Sequence, residues 1–437
     1  MKENRRKPIV RTPSASEISR SVKNFETWST HQNLDQVSFR DVPRHFKEVE
    51  QVFALSSKLP LSWLDPSGSE YKALVGFVGR DFAEFLQQVY SDCPHLFANV
   101  PRDEVVGLLP KMTTVHLAWK RLKAMIQNKS VKYSEADYVA NVYNALRTPA
   151  VRHSTYKVQT CVSLPQPTVL ANMSGDANRI LGAKQATPDC LLLIPARSLR
   201  SLSNGMKSPY HVLSRHPSVV GCGTASKGSS FRYQATPLAA LSETRGFEFV
   251  SSVWEDKKPV HHMLADAYRQ NRMATAAATR HLHSHHVHAP VFGLVWASGT
   301  VRAHVDWCSE ASNATPPIVY SAPYQRENRH GRESVPDDDS DMDIFHEWQL
   351  ERAGDIVEVF FLCEHIDEWT IKGFKQRVIA GVGSLVEDVT KNGTPFMPWK
   401  RTGELMAVST KDNTTISASS MGSSAESSPA QVQKRRR

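Results

Sequence analysis

The sequence predicts an α/β protein in which a mixed sheet is flanked by helices. Three apolar runs, at 189–194, 247–256 and 291–296, have the length and the side chains of buried strands. A stretch with apolar residues at helical spacing precedes the first run, near 134–147, and another separates the second run from the third, near 261–280. Helices that alternate with buried strands are typical of α/β folds.

The N-terminal third of the chain predicts a tail followed by a helical region. Residues 1–30 are polar and basic with little periodicity, which favours disorder. Residues 31–130 carry apolar side chains at helical spacing, most clearly over 71–90 and 115–126. Such stripes are more typical of a packed core than of a groove for a partner.

The helix near 134–147 has a recognisable start. Ser134 can cap its first turn with the hydroxyl group. Glu135 and Asp137 lie in that turn, where the helix dipole favours acidic side chains, and Pro149 follows the last apolar position.

A larger domain is expected over 131–400, with two insertions. The segment 198–245 is rich in Ser, Gly, Pro and basic residues and predicts a large hairpin insertion. The segment 309–343 is long and polar, and its acidic run 337–341 lacks EF-hand spacing. Residues 401–437 are Ser-rich, end in Lys-Arg-Arg-Arg and predict a disordered tail.

Composition limits the class of protein. The 437 residues are 40% hydrophobic and 22% charged, as in soluble globular proteins. No apolar run approaches the about 20 residues of a membrane span, and the basic N-terminus lacks the apolar stretch of a secretory signal. The six scattered cysteines favour a reduced, intracellular compartment. The basic run 434–437 leaves a nuclear and a cytoplasmic location open, and composition leaves the oligomeric state open.

Charge and missing motifs narrow the function further. The formal net charge of +9 is compatible with an anionic partner such as nucleic acid, although part of the charge lies in the tails. Phosphate-binding P-loops, the Ser nucleophile elbow and the kinase HRD and DFG tripeptides are absent from the sequence.

The most informative motifs are an acid that opens one predicted strand and an acid-x-lysine that closes another. Asp189 begins the run 189–194, and Glu255 and Lys257 end the run 247–256. Two carboxylates can hold a hard cation, and a lysine beside them can stabilise charge on an attacked phosphate. We therefore expect Asp189 and Glu255 to bind metal, and all three residues to be catalytic.

Two features of this motif pair stay open in the sequence. Either the motifs belong together across the insertion at 198–245, or their pairing is accidental. Asp256-Lys257-Lys258 also spells D-x-K, and alternation puts Glu255 and Lys257 on one strand face but Asp256 and Lys258 on the other.

The motifs and the order of the predicted elements resemble the PD-(D/E)XK nuclease superfamily. The segment from Trp254 to Trp307 is similar to the nuclease-like segment of poorly characterised fungal proteins. Over roughly 130–390, the resemblance implies a restriction-endonuclease-like core, a Mg²⁺ (or Mn²⁺) cofactor and hydrolysis of phosphodiester bonds in DNA or RNA. It also favours the Glu255/Lys257 register.

Two other functions remain open at this stage. The first is a catalytically inactive module of the same fold that binds nucleic acid or a protein partner. The second is an interaction scaffold in which the motifs are accidental.

The resemblance also implies auxiliary residues. Some members of the superfamily take a further carboxylate from the first core helix, which points to Glu135 or Asp137, with helix capping as the alternative role. Some relatives place a glutamine on the helix after the E-x-K motif, which points to Gln270, with a surface amide as the alternative.

Basic residues near the motifs are candidate nucleic-acid contacts. Lys258 follows the E-x-K motif, and Arg269 and Arg272 lie on the helix predicted at 261–280. A solvated charged surface is the alternative for all three. The histidine run 281–288 lacks the fixed ligand pattern of a zinc site and predicts a surface turn.

Overall fold

A mixed β-sheet runs through the protein and carries helices on both of its faces, which confirms the predicted α/β class. Contacts group Met1–Lys400 as one compact unit, so the helices over 31–130 share a core with the sheet. In the described part of the chain, no helix has both the length and the apolar character needed to cross a membrane. This computed structural model describes residues 11–170, 173–220, 230–241, 243–257, 263–309, 317–326 and 345–400.

The strands belong to one large sheet and two small ones. In chain order they are β1 (Leu34–Gln36), β2 (Leu59–Pro60), β3 (Phe97–Ala98), β4 (Thr155–Val158), β5 (Val162–Ser163), β6 (Gln185–Ala186), β7 (Cys190–Leu193), β8 (Val250–Lys257), β9 (Val291–Ala297), β10 (Thr300–Cys308), β11 (Val319–Pro323) and β12 (Trp348–Gln349). Within the described residues the large sheet has eight strands in the order β1-β11-β10-β9-β8-β7-β4, with β12 also paired to β10. β2 pairs with β3, and β5 pairs with β6.

The helices cover both faces of the large sheet. In chain order they are α1 (Ala15–Ser19), α2 (Val22–Gln32), α3 (Lys47–Phe53), α4 (Ser69–Val78), α5 (Arg80–Asp92), α6 (Arg102–Gln127), α7 (Glu135–Tyr138), α8 (Asn144–Ala150), α9 (Gly175–Leu181), α10 (Arg200–Ser203), α11 (Pro209–Leu213), α12 (Pro217–Val219), α13 (Ser230–Gln234), α14 (Met263–Ser284), α15 (Ala353–Trp369) and α16 (Lys375–Lys391). π-helical turns join α7 to α8 at Val139–Tyr143 and α15 to α16 at Thr370–Phe374.

The central strands are those that the sequence predicts. The runs 189–194, 247–256 and 291–296 correspond to β7, β8 and β9, whose side chains are buried on both sheet faces. β7 and β8 are antiparallel, whereas β8 and β9 are parallel because α14 crosses over the sheet between them. The pairing of β8 with β9 makes the sheet a mixed one.

A buried polar network fixes α14 on the sheet. Asn271 donates its amide to the carbonyl oxygens of Val253 and Leu294, at 3.0 and 3.3 Å. Its Oδ1 atom therefore faces His304 Nε2, 2.8 Å away, and His304 Nδ1 lies 2.7 Å from a carboxylate oxygen of Asp306. Gly293 lies beneath this network, where the absence of a side chain leaves room for the imidazole ring.

The prediction of a disordered tail over 1–30 is wrong for the second half of that range. Residues 14–32 form α1 and α2, and α1 begins with a capping box between Ser14 and Glu17. Ile18 and Trp28 are buried, and α1 and α2 pack against α14 and α9. A few large apolar side chains are enough because the rest of the fold supplies the surface that they bury. Residues 1–10 and the predicted tail 401–437 lie outside the described residues.

Both predicted insertions contain regular structure. The described part of 198–245 forms the short helices α10 to α13 rather than a hairpin. The predicted loop 309–343 contains β11, which pairs with β1 and β10 and so extends the large sheet. Polar sequence on both sides conceals this short strand, and the acidic run 337–341 lies outside the described residues.

The histidine run is not a surface turn. α14 continues to Ser284, and the side chains of His281 and His285 are completely buried. The ring of His285 lies 5.6 Å from Phe247 and 5.7 Å from Phe396. Burial lowers the pKa of His285 to about 4, so the ring packs as a neutral aromatic group.

Gly293→Ala should destabilise the protein by about 2 kcal/mol or more, since a Cβ at this position would overlap His304 and Asn271. Gly107→Ala on the exposed face of α6 is the matched control, because a Cβ there meets nothing within 4 Å. Chemical denaturation measures both variants. An unchanged free energy of unfolding for Gly293→Ala would contradict the close packing of α14 on β9.

Acid should weaken the fold through the buried histidines. The folded-state pKa of His285, about 4, is below its unfolded value, so its contribution is fully present above about pH 6.5 and lost as pH falls towards 4. His285→Phe keeps a ring in the aromatic cluster and should flatten the fall of melting temperature between pH 6.5 and 4. The exposed His288→Phe is the control, and an equal pH slope in wild type and His285→Phe would contradict the assignment.

Candidate active site

The two predicted carboxylates lie at the ends of neighbouring strands. Cys190 pairs with Trp254, so Asp189, one residue before β7, is level with Glu255. The backbone amide of Asp256 donates to Asp189 Oδ2 at 2.7 Å, which ties this residue to the end of β8. Alternation along β8 puts Glu255 on the face covered by α14. Asp189 lies just before β7 and is close enough to raise the pKa of the Glu255 carboxyl group.

Glu255 is the most buried member of the site. Its side chain is 1% exposed, and its Oε1 atom pairs with the Lys257 ammonium group on the same strand face. Its Oε2 atom is buried without a hydrogen-bond partner among the described residues. Burial raises the pKa of Glu255 well above its usual range; Lys257 opposes this rise, and Asp189 adds to it.

Asp189 and Lys257 share this electrostatic environment. Burial and the Asp256 carboxylate raise the pKa of Asp189, although the Asp256 amide and the Gln159 side chain donate hydrogen bonds to it. Burial disfavours the charge on Lys257, but the Glu255 and Asp189 carboxylates outweigh it and raise the pKa of the ammonium group. Burial is the largest cause of both raised pKa values, and a divalent cation bound by these two carboxyl groups would favour their ionised forms.

The side chain of Asp256 lies on the sheet face opposite to that of Glu255. Its carboxylate forms a two-point ion pair with Arg147 of α8, one contact being 2.9 Å, and Arg147 is completely buried. The guanidinium carbon lies 4.2 Å from the ring centre of Trp296. Because Asp256 is bound in this way, the geometry favours the Glu255/Lys257 register over the D-x-K alternative.

Gln270 is a buried residue of α14, which packs on β8 and β9. Asn271 binds the carbonyl of Val253, so this level of the helix is close to Glu255. Gln270 and His281 lie on the same side of α14, and the ring centre of His281 is 5.0 Å from that of Phe249, which directly precedes β8. Gln270 is 8% exposed, and its Oε1 atom is buried without a partner among the described residues. It is not a surface amide.

The two auxiliary acids differ in their positions. Asp137 accepts from the backbone amide of Ser134 at 2.7 Å and completes the capping box of α7. The Glu135 carboxylate is close enough to Lys257 to contribute to the raised pKa of its ammonium group. The capping alternative therefore describes Asp137, whereas Glu135 borders the site.

One of the predicted nucleic-acid contacts, Arg269, has other partners in the fold. Arg269 pairs with Asp266 and donates to the carbonyl of Ser19 at 2.6 Å. Arg272 is buried and does not belong to a solvated surface. Lys258 lies outside the described residues.

The sequence analysis did not identify a second cluster of titratable side chains. Ligand atoms of Cys93, His95 and Glu358 lie within 4.8 Å of one another and could hold a metal ion. However, the carboxylate already accepts hydrogen bonds from Arg326 at 2.5 Å and Trp348 at 2.8 Å, so a guanidinium group supplies positive charge there. The only local signal is the Cys-x-His spacing, because Glu358 is remote in the sequence.

No protein-family model and no curated protein matches the chain. The class that the fold and the site define is therefore an α/β protein with two carboxylates and a lysine at one end of its central strands.

Asp256→Asn should destabilise the protein by about 3 kcal/mol, because it leaves the buried Arg147 without its counter-charge. Glu255→Gln should change stability by less than about 1 kcal/mol or increase it, because a costly buried charge is removed. Urea denaturation compares the two variants. A larger loss for Glu255→Gln than for Asp256→Asn would contradict these roles.

Proposed function

We propose that the protein is a metal-dependent nuclease that hydrolyses phosphodiester bonds in DNA or RNA. Asp189 and Glu255 would bind Mg²⁺ or Mn²⁺, and Lys257 would assist. The observation that carries the proposal is a pair of carboxylates on adjacent strand ends, Asp189 half-buried and Glu255 buried, with one oxygen of Glu255 unpaired among the described residues. Hard divalent cations prefer such oxygen ligands.

The metal ligands, Lys257 and Gln270 have different roles in the proposed reaction. When bound, a divalent cation polarises the phosphate and lowers the pKa of a bound water. Lys257 has a raised pKa, so it stays charged at neutral pH and stabilises negative charge on phosphate oxygens rather than removing a proton. The unpaired Oε1 atom of Gln270 is suited to orient a water molecule on the α14 side.

The substrate class follows from charge and from the order of the elements. A net charge of +9 favours a polyanion, and binding to phosphates releases counterions. The antiparallel pair β7–β8, the crossover helix α14 and the parallel strand β9 follow the order expected of a restriction-endonuclease-like core. We infer on this basis that the chain is a divergent PD-(D/E)XK nuclease.

One observation favours a second function. Glu255 is almost fully buried and already pairs with Lys257, an arrangement that a module without catalytic activity would also tolerate. Such a module would bind nucleic acid without cutting it.

Purified protein with Mg²⁺ or Mn²⁺ should cleave labelled DNA or RNA, and Glu255→Gln should lower the rate on the order of 100-fold or more. Glutamine keeps the size of the side chain but removes the charge that holds the cation. Lys257→Ala should lower the rate as well. Glu84→Gln on the exposed face of α5 is the matched control. Cleavage of single- and double-stranded substrates, with and without a chelator, is the measurement.

A direct metal-binding assay separates the two functions. Mn²⁺ should bind more tightly as pH rises, by up to about tenfold per pH unit for each displaced proton, because the ligand carboxyl groups must ionise. Equal cleavage by wild type and Glu255→Gln would assign the activity to another site or a contaminant. Nucleic-acid binding without cleavage would support the inactive module.

A further inference from the structure

A separate cavity of about 250 Å³ lies on the sheet face that carries Glu255. Glu255 pairs with Val295 of β9, and Val295 pairs with Arg302 of β10, which lines the cavity. Adjacent strands are about 4.8 Å apart, so the backbone of Arg302 lies roughly 10 Å from that of Glu255. Val295 and the α14 residues that pack on it, Ala267 and Tyr268, lie between Glu255 and the cavity.

The cavity wall alternates aromatic rings with arginines. Tyr268 and Phe345 meet edge to face, with ring centres 4.8 Å apart. The guanidinium of Arg302 lies 5.2 Å from the ring of Phe345, and that of Arg272 lies 5.5 Å from Tyr268 and 5.6 Å from Phe25. Aromatic faces and guanidinium planes are the surfaces on which unpaired nucleobases stack.

Arg272 gives this cavity a buried positive charge. The residue is 6% exposed, and its guanidinium donates to the side-chain oxygen of Gln36 and to the backbone oxygen of Asp35, both at 3.2 Å. Both acceptors are neutral groups. The Nε atom of Arg272 has no hydrogen-bond partner among the described residues. A buried guanidinium group whose hydrogen-bond acceptors among the described residues are both neutral favours an anionic or electron-rich ligand.

The neighbouring arginines are already neutralised. Arg269 pairs with Asp266, and Arg302 pairs with Glu347 at 2.7 Å. Glu26 lies exposed at the edge of the cavity. Among the described residues that line the cavity, Arg272 is therefore the cationic group available to a ligand.

We propose that this cavity binds the nucleobase of a nucleotide adjacent to the phosphate attacked at Asp189 and Glu255. The inference rests on the proposed nuclease function and narrows its substrate. A base in the cavity has left its stack, so the substrate is single-stranded or opened at that nucleotide. The separation of roughly 10 Å from Glu255 suits the reach of one nucleotide from phosphate to base.

Nucleotide binding without metal tests the cavity independently of cleavage. The probes are nucleoside monophosphates, with inorganic phosphate and unphosphorylated nucleosides for comparison, and titration calorimetry is the measurement. Phe345→Ala should weaken nucleoside monophosphate binding about 5-fold or more, as expected when one stacking partner is lost. Phe77→Ala is the matched control because Phe77 lies on α4 with 81% of its surface exposed.

The results of these binding experiments distinguish the proposal for the cavity from the proposal of nuclease activity. The cavity proposal is supported if Phe345→Ala weakens nucleotide binding and Glu255→Gln does not. This holds even if no substrate is cleaved and the nuclease proposal fails. Cleavage by wild type with nucleotide binding unchanged in Phe345→Ala overturns the cavity and leaves the nuclease intact. Phosphate that binds as tightly as nucleotides also overturns the nucleobase assignment.

With an active enzyme, kinetics provide a second measurement. Phe345→Ala should raise KM for single-stranded substrates while kcat changes little, because stacking is uniform binding of ground and transition states. A preference of wild type for fully paired duplex over single strands would overturn the proposal.

Discussion

The buried ion pair between Arg147 and Asp256 determines the orientation of the whole site. It holds Asp256 on one face of β8, among the rings of Trp254 and Trp296. Side chains alternate along a strand, so Glu255 and Lys257 must then point to the other face. A shift of β8 by one residue would bury a carboxylate without a counter-charge, and the ion pair therefore stabilises one register of the strand.

The second constraint is the position of α14 on the opposite face. Asn271 and His304 anchor the helix over β8, β9 and β10, where Gly293 leaves the necessary space. This anchoring puts Gln270 on the side of the carboxylates and Tyr268 on the side of the cavity. The row of paired residues Glu255, Val295 and Arg302 lies under this helix and connects the carboxylate site to the cavity, which is lined by arginines.

Much of the fold and part of the site could be predicted from the sequence. Apolar runs at 189–194, 247–256 and 291–296 indicate β7, β8 and β9 because buried strands need continuous apolar side chains. The short β11 and the helices α1 and α2 were missed, since their few apolar residues are informative only beside the surfaces that cover them. The histidines of α14 appear polar in the sequence, but an aromatic cluster encloses them as neutral rings.

By itself, the sequence determined the chemical groups available to this protein: two acids and a lysine at strand ends, on an α/β scaffold with a positive net charge. Only the tertiary structure decided that Asp189 is level with Glu255 despite the helical insertion between them in the sequence. It also decided that Arg147 forms an ion pair with Asp256 and that Arg272 is buried beside aromatic rings. The physical reason is that periodicity assigns side chains to faces within one element. Contacts between elements depend on strand register and helix packing, which involve residues remote in the chain.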